Sequence, residues 1–150
     1  MLRFENDFVR VPSIPRRVLV VEDDPVALKI MTKLLTVADY DVLSANNLAR
    51  ATNQLVWQPD FVLLDLLLPD GHGTALLSRI RRQDPAPLVA VLCTASDSLL
   101  ANAIKFGPDA VFRKPVDLPA LLEWIKNPRL FVFKSAASIN FRAAQHDYSI

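Results

Sequence analysis

The run Phe61-Val62-Leu63-Leu64-Asp65-Leu66-Leu67-Leu68-Pro69-Asp70-Gly71 decides the fold. Four apolar residues end in a carboxylate, and the chain then breaks into a Pro-Asp-Gly turn. An unbroken apolar run of this length suits a strand buried on both faces, as in a parallel sheet. A carboxylate at the carboxyl end of such a strand lies in the crevice where open α/β sheets carry their chemistry. A second run, Val18-Leu19-Val20-Val21, ends in Glu22-Asp23-Asp24. Two strand tips that both end in acids make an anionic pocket. Like charges this close repel, so the arrangement is costly unless a proton or a cation relieves it. A hard divalent ion with oxygen ligands, Mg²⁺ above all, is the natural occupant.

Outward from these two strands the pattern repeats. Asp24-Pro25 opens a helix, with Asp as N-cap and Pro at the first helical position. Val26, Ile30 and Leu34, with Leu28, Met31 and Leu35 beside them, are expected to form its apolar face. Asp41 to Ala45 reads as a strand, and Asn46 or Asn47 caps a second helix carrying Leu48, Ala51 and Leu55. A third helix runs from about Thr74, with Leu76, Leu77 and Ile80, and stops before Pro85. Leu88 to Cys93 is a fourth strand. Ser96 or Asp97 caps a fourth helix that Gly107-Pro108 ends. Ala110 to Phe112 is a short fifth strand, and Asp117 caps a last helix with Leu118, Leu121, Leu122 and Ile125, closed by Asn127-Pro128. Strand and helix alternate five times, which calls for a parallel sheet with helices on both faces.

The 150 residues are 51% hydrophobic and 22% charged, which suits one domain with a real core. A net charge of +1 makes no electrostatic case for nucleic acid or an anionic membrane surface. The single cysteine, Cys93, excludes an internal disulfide, and its apolar surroundings suit an inert buried thiol. Residues 1–10 mix charge with Phe and Val and lack the apolar core of a signal peptide. No stretch is long and apolar enough to span a bilayer, so the expected compartment is the cytoplasm. Residues 1–16 read as a leader or linker, 17–127 as the domain and 128–150 as a tail. The tail is expected either to be partly disordered or to pack as an extension, with Leu130-Phe131-Val132-Phe133 lying as an added edge strand or helix on the domain or on a second copy.

Four strand ends supply one rim: Glu22 and Asp23 from the first, Asp65 from the third, Thr94 from the fourth and Lys114 from the fifth. Acids, a hydroxyl and an ammonium together suit phosphoryl transfer. Asp65 would be the carboxylate nucleophile. Mg²⁺ held by Asp23 and Asp65 would neutralise charge on the transferring group. Lys114 would bind phosphate as a point charge, and Thr94 would donate a hydrogen bond to a phosphoryl oxygen.

In VLVVEDDP at 18–25, FVLLDLLLPDGHG at 61–73, TAS at 94–96 and FRKP at 112–115, the chain resembles the receiver domain of bacterial two-component response regulators. The resemblance covers roughly Arg17 to Lys126. It implies a flavodoxin-like (βα)5 fold, a doubly wound five-stranded parallel sheet in the order 2-1-3-4-5. It implies Asp65 as phosphoacceptor, Asp23 as a direct Mg²⁺ ligand, Glu22 acting through water, and the Leu67 backbone carbonyl as a further ligand. Thr94 becomes the switch hydroxyl, and Lys114 precedes a cis proline at Pro115. The implied partners are a histidine kinase or phosphotransfer protein and a downstream protein. A homodimer through the helix-four, strand-five, helix-five face or through the tail is the expected self-association. The chemistry would be self-catalysed phosphotransfer and hydrolysis, not enzymatic turnover, in a single-domain relay or a receiver module of a larger protein. Two departures from the family pattern stand out. Val111 occupies the position usually aromatic, with Phe112 next to it, so phosphorylation is expected to survive while long-range change at the fourth helix is muted. Pro108 replaces the usual Ala and stiffens the loop before the fifth strand.

Three other readings compete. An Asp-nucleophile hydrolase of the haloacid dehalogenase type needs a second acid two residues after the nucleophile, where Leu67 stands. A flavin binder needs hydroxyls and amides where Glu22-Asp23-Asp24 would repel a phosphate. A degenerate receiver acting only as a scaffold conflicts with the full acidic set, Thr94 and Lys114. Elsewhere the expectations are plain. Asp70 and Gly71 make a turn without chemistry, and His72 and His146 are solvated. Trp57 and Trp124 pack on the domain flank. Arg16, Arg17, Arg79, Arg81 and Arg82 lie on solvated faces.

Overall fold

The computed structural model describes residues 16–94 and 97–128. The expected leader, apart from Arg16, the Ser96 cap and the tail beyond Pro128 lie outside the described residues. Five strands, β1 (Arg17–Val21), β2 (Asp41–Ala45), β3 (Phe61–Asp65), β4 (Leu88–Cys93) and β5 (Ala110–Arg113), alternate with five α-helices. The helices are α1 (Pro25–Val37), α2 (Leu48–Gln54), α3 (Gly73–Ile80), α4 (Asp97–Ile104) and α5 (Leu118–Lys126). All strand pairs of the sheet are parallel, in the order β2-β1-β3-β4-β5. The expected order therefore holds. After β3 the chain makes a two-residue antiparallel ladder, Leu67–Leu68 against Gly71–His72, before α3.

Alternation along each strand builds two cores, one on each face. Leu19, Val21, Val62, Leu64, Val91 and Val111 face α2, α3 and α4, where they meet Ala51, Leu76, Leu77, Ile80, Leu100 and Ala103. Val18, Val20, Phe61, Leu63, Leu92 and Phe112 face α1 and α5. Every residue of β3 is buried, as a central strand with helices on both sides requires.

Caps place the helix starts on the rim. Asp24 accepts from the Ala27 N–H at 3.1 Å, Asn47 from the Arg50 N–H at 2.8 Å and Asp117 from the Ala120 N–H at 3.0 Å. Each satisfies a donor that the first helical turn leaves unpaired. Gly107 ends α4 in the left-handed region, at φ 63°, where a Cβ would be strained.

Two packing expectations are corrected. The buried stripe of α1 is Met31 and Leu35, while Val26 is 64% and Ile30 48% exposed. The helix carries more apolar residues than one face can bury, and the sheet takes the Met31–Leu35 side. Trp124 lies not on the flank but in the core, fully buried, with its ring edge-on to Phe61 at 5.5 Å and to Phe112 at 6.3 Å. Trp57 stays half-buried in a short 3₁₀ turn, with the Arg17 guanidinium 5.4 Å from its ring.

Candidate functional site

Glu22 follows the last residue of β1, and its backbone N–H donates to Ala45 O at the end of β2, 3.0 Å away. The side chain is only 1% exposed. Asp65 ends β3 and is 2% exposed, while Asp23 stays open to solvent. One carboxylate oxygen from each of Glu22, Asp23 and Asp65 lies within 4.8 Å of the others. Parallel pairing of β1 and β3 in register, Val21 beside Leu64, is what brings the three together.

Lys114 arrives from the far side of the sheet. Its backbone N–H donates to Cys93 O at 2.8 Å, which pins the tip of β5 to the tip of β4. Its ammonium then donates to Glu22 Oε1 at 2.8 Å and to Asp65 Oδ2 at 2.9 Å. The Leu67 N–H donates to the other Asp65 oxygen at 3.1 Å. The Lys114–Pro115 peptide is cis, as the resemblance implies. Thr94 follows β4 on the same rim and is exposed.

The electrostatics divide the two buried acids. Burial, reinforced by the neighbouring Asp65 carboxylate, pushes Glu22 up to about 7 against the pull of Lys114. Burial also pushes Asp65 up, but hydrogen bonds with Glu22, Lys114 and the Leu67 N–H outweigh it and hold the carboxyl low. Lys114 loses some basicity to burial and regains more from its two carboxylate partners, so it stays charged. The nucleophile candidate is thus held ionised, while burial raises the proton affinity of its neighbour Glu22. One ammonium does not balance three carboxylates. An all-oxygen donor set with excess negative charge, open to solvent at Asp23, fits a hard divalent cation.

The close packing of the loop after β3 depends on Gly73. A Cβ there would clash with the Asp65 carbonyl oxygen, so only glycine lets α3 start this near the nucleophile's backbone. Three residues read from sequence as plain have partners. Arg81 donates to Asp109 at 3.1 Å, and the same Asp109 oxygen accepts the Val89 N–H at 2.8 Å. Arg16 stacks its guanidinium 4.7 Å from the Phe61 ring. Asp70 does more than turn the chain, since it accepts from the Leu48 and Ala49 N–H groups at 2.7 and 3.0 Å. No local pattern could have announced that contact, which spans 22 residues of sequence.

A doubly wound parallel sheet with an acidic pocket and a lysine at its carboxyl edge defines an open α/β module whose polar site lies at the strand tips. Residues 18–126 match the family model for the response regulator receiver domain, and the chain belongs to that family. The transcriptional regulatory protein KdpE of Staphylococcus aureus is 29% identical over 106 residues, 70% of this chain and 46% of KdpE. The response regulator protein PilR of Pseudomonas aeruginosa is 34% identical, over 73% of this chain and 25% of its own length. The chain thus spans less than half of such relatives, whereas the match to the polar-differentiation response regulator DivK of Brucella anthropi, at 25% identity, covers 96% of DivK. Among solved structures, a CheY-like receiver domain protein from Methanospirillum hungatei superposes with a TM-score of 0.72 at 28% identity, covering 77% of this chain and 94% of that one. Among the described residues no helix is long and apolar enough to cross a membrane.

Proposed function

We propose that the chain is a phosphoacceptor switch in which Asp65 takes a phosphoryl group from the phosphohistidine of a kinase or phosphotransfer protein. The observation that carries this reading is the Lys114 ammonium, held between Glu22 and the buried Asp65 beside the third acid Asp23. Asp23 and Asp65 would ligate Mg²⁺ directly, with the Leu67 carbonyl, and Glu22 through water. The bound ion would offset negative charge on the transferring group.

The residues perform the rest. An oxygen of ionised Asp65 attacks phosphorus, and the O–P bond forms as the P–N bond to the donor imidazole breaks. The imidazole leaves with the electron pair. Lys114 is already at the nucleophile and turns from its carboxylates to the new phosphoryl oxygens. Thr94, on the neighbouring strand tip, donates a hydrogen bond to one of them. Hydrolysis runs by attack of water on the same phosphorus and returns the Asp65 carboxylate with free phosphate. One phosphoryl group is accepted and released per cycle at a residue of the chain itself, so we read the protein as a switch and not a turnover enzyme.

The output would be an altered protein-interaction surface that a downstream partner reads. Val111 is fully buried under α4 among Leu100 and Ala103, and Phe112 faces the opposite core against Trp124. No ring therefore stands at Val111 to swing toward Thr94, which supports a muted change at α4. The exposed Val26 and Ile30, on the first turns of α1 beside the rim, are apolar positions at which the phosphodonor could rest.

The test is incubation with Mg²⁺ and acetyl phosphate, followed by intact mass. Gain of one phosphoryl group by the wild type and none by Asp65→Asn is expected. No gain by a wild type that binds Mg²⁺ would overturn the switch in favour of a scaffold.

A further inference from the structure

Asp70 sits in the turn between the two short strands of the Leu67–Leu68/Gly71–His72 ladder. Its carboxylate reaches across to α2, where Oδ1 accepts the Leu48 N–H and Oδ2 the Ala49 N–H. The helix does not need this to begin, because Asn47 already caps it through the Arg50 N–H at 2.8 Å. A two-pronged, charge-assisted contact therefore joins two loops that have no covalent reason to move together. The Leu48 side chain also packs close against the Gly71 backbone at the same place. A Cβ on Gly71, which has φ 148°, would lie 2.9 Å from Leu48 Cδ1.

Both ends of this contact lead to the acidic pocket. On one side the ladder connects the Asp70 turn to Leu67, whose N–H binds Asp65 Oδ1 at 3.1 Å. The root of that loop is closed by the Gly73 N–H on Leu66 O at 2.9 Å. On the other side, α2 follows Ala45, whose carbonyl accepts the Glu22 N–H. The Leu48 and Ala49 N–H groups hold the Asp70 carboxyl below its ordinary value, so the contact persists at neutral pH.

We propose that Asp70 is a positioning residue for the metal pocket: it straps the β3–α3 loop to the β2–α2 loop and so keeps the Leu67 carbonyl and Asp65 in register with Glu22. The inference rests on the Mg²⁺ reading of that pocket. Because Asp70 is exposed, the strap acts on orientation and contributes little to global stability.

The test uses the full chain in three forms: wild type, Asp70→Ala and Asp70→Asn, the last with its amide confirmed intact by mass. Mg²⁺ affinity is measured by calorimetric titration, and amide exchange is followed in EDTA. Asp70→Ala is expected to raise the Mg²⁺ Kd at least about fivefold, toward the range seen when outer-shell supports of metal sites are removed. Asp70→Asn, which still offers a carbonyl oxygen to one N–H, should recover most of the affinity. In EDTA, Asp70→Ala should speed exchange at Leu67, Gly73 and Glu22 together and leave Val91 unchanged. Equal affinity in wild type and Asp70→Ala overturns the strap. Equal weakening by Ala and Asn also overturns it, since charge alone would then be acting. Faster exchange confined to Leu48 and Ala49 reduces Asp70 to a helix cap and overturns it as well. A wild type that binds no Mg²⁺ sinks the reading of the pocket, and the exchange data then decide the strap on their own.

Discussion

Replacing Lys114 by Met keeps the aliphatic stem and removes the ammonium from two buried carboxylates, 2.8 and 2.9 Å away. The consequence is a change in how stability depends on pH. In the metal-free wild type, burial and Asp65 raise Glu22 from 4.5 to about 7. The folded state thus holds the Glu22 proton more tightly than the unfolded chain. Its stabilising effect is complete below the unfolded value and is lost as pH rises through the folded one. At about 1.4 kcal/mol per pH unit, holding Glu22 ionised above that range costs the folded protein about 3 kcal/mol. Without the ammonium, Glu22 keeps its proton to still higher pH. The wild-type contribution therefore levels off above pH 7, while that of Lys114→Met goes on falling. The stability gap between them should widen by about 1–2 kcal/mol from pH 7 to pH 8.5. Loss of the Asp65 contact adds an offset common to both pH values, and differences in other groups cancel. Urea denaturation in EDTA across this range measures the gap, with a constant m-value confirming that only stability has changed. Parallel curves above pH 7 would refute the assignment of Lys114 as the group that draws the proton from Glu22.

Two further predictions follow from the packing. Gly73→Ala forces a Cβ against the Asp65 carbonyl, with backbone on both sides of the clash; a loss of about 1–3 kcal/mol in urea and slower phosphorylation by acetyl phosphate are expected, and wild-type behaviour in both would refute the close approach. Trp124→Ala empties the ring site between Phe61 and Phe112 and should cost about 3–5 kcal/mol, with Trp124→Phe costing markedly less; a near-neutral Ala variant in urea would place Trp124 back on the flank.

Strand and helix positions could be read from the sequence because the signals are local. The runs ending at Val21 and Asp65 are apolar throughout, as strands between two helical layers must be, and Asp24, Asn47 and Asp117 announce helix starts by chemistry that acts over three residues. The Gly107 stop is equally local. Once the order of the strands is set, the rim residues Glu22, Asp23, Asp65, Thr94 and Lys114 fall at one edge without further information. What the sequence did not disclose was which apolar residues of α1 turn inward. Val26, Ile30, Met31 and Leu35 are equally apolar, and only contact with the sheet separates the buried pair from the exposed pair.

Fold class and the membership of the acidic rim were therefore determined by the chain itself, through periodicity and strand-tip chemistry, while the strand order followed from the family resemblance of its motifs. The tertiary structure alone decided the partnerships. The Lys114 ammonium reaches Glu22 across 92 residues of sequence, Arg81 reaches Asp109 across 28, and the Asp70 carboxylate reaches Leu48 across 22. A side chain's charge and length are written in its residue type, but the donor or acceptor it meets depends on loops brought together by folding. The raised proton affinity of Glu22 has the same origin, since it comes from burial and from Asp65, and neither exists until the strands pair.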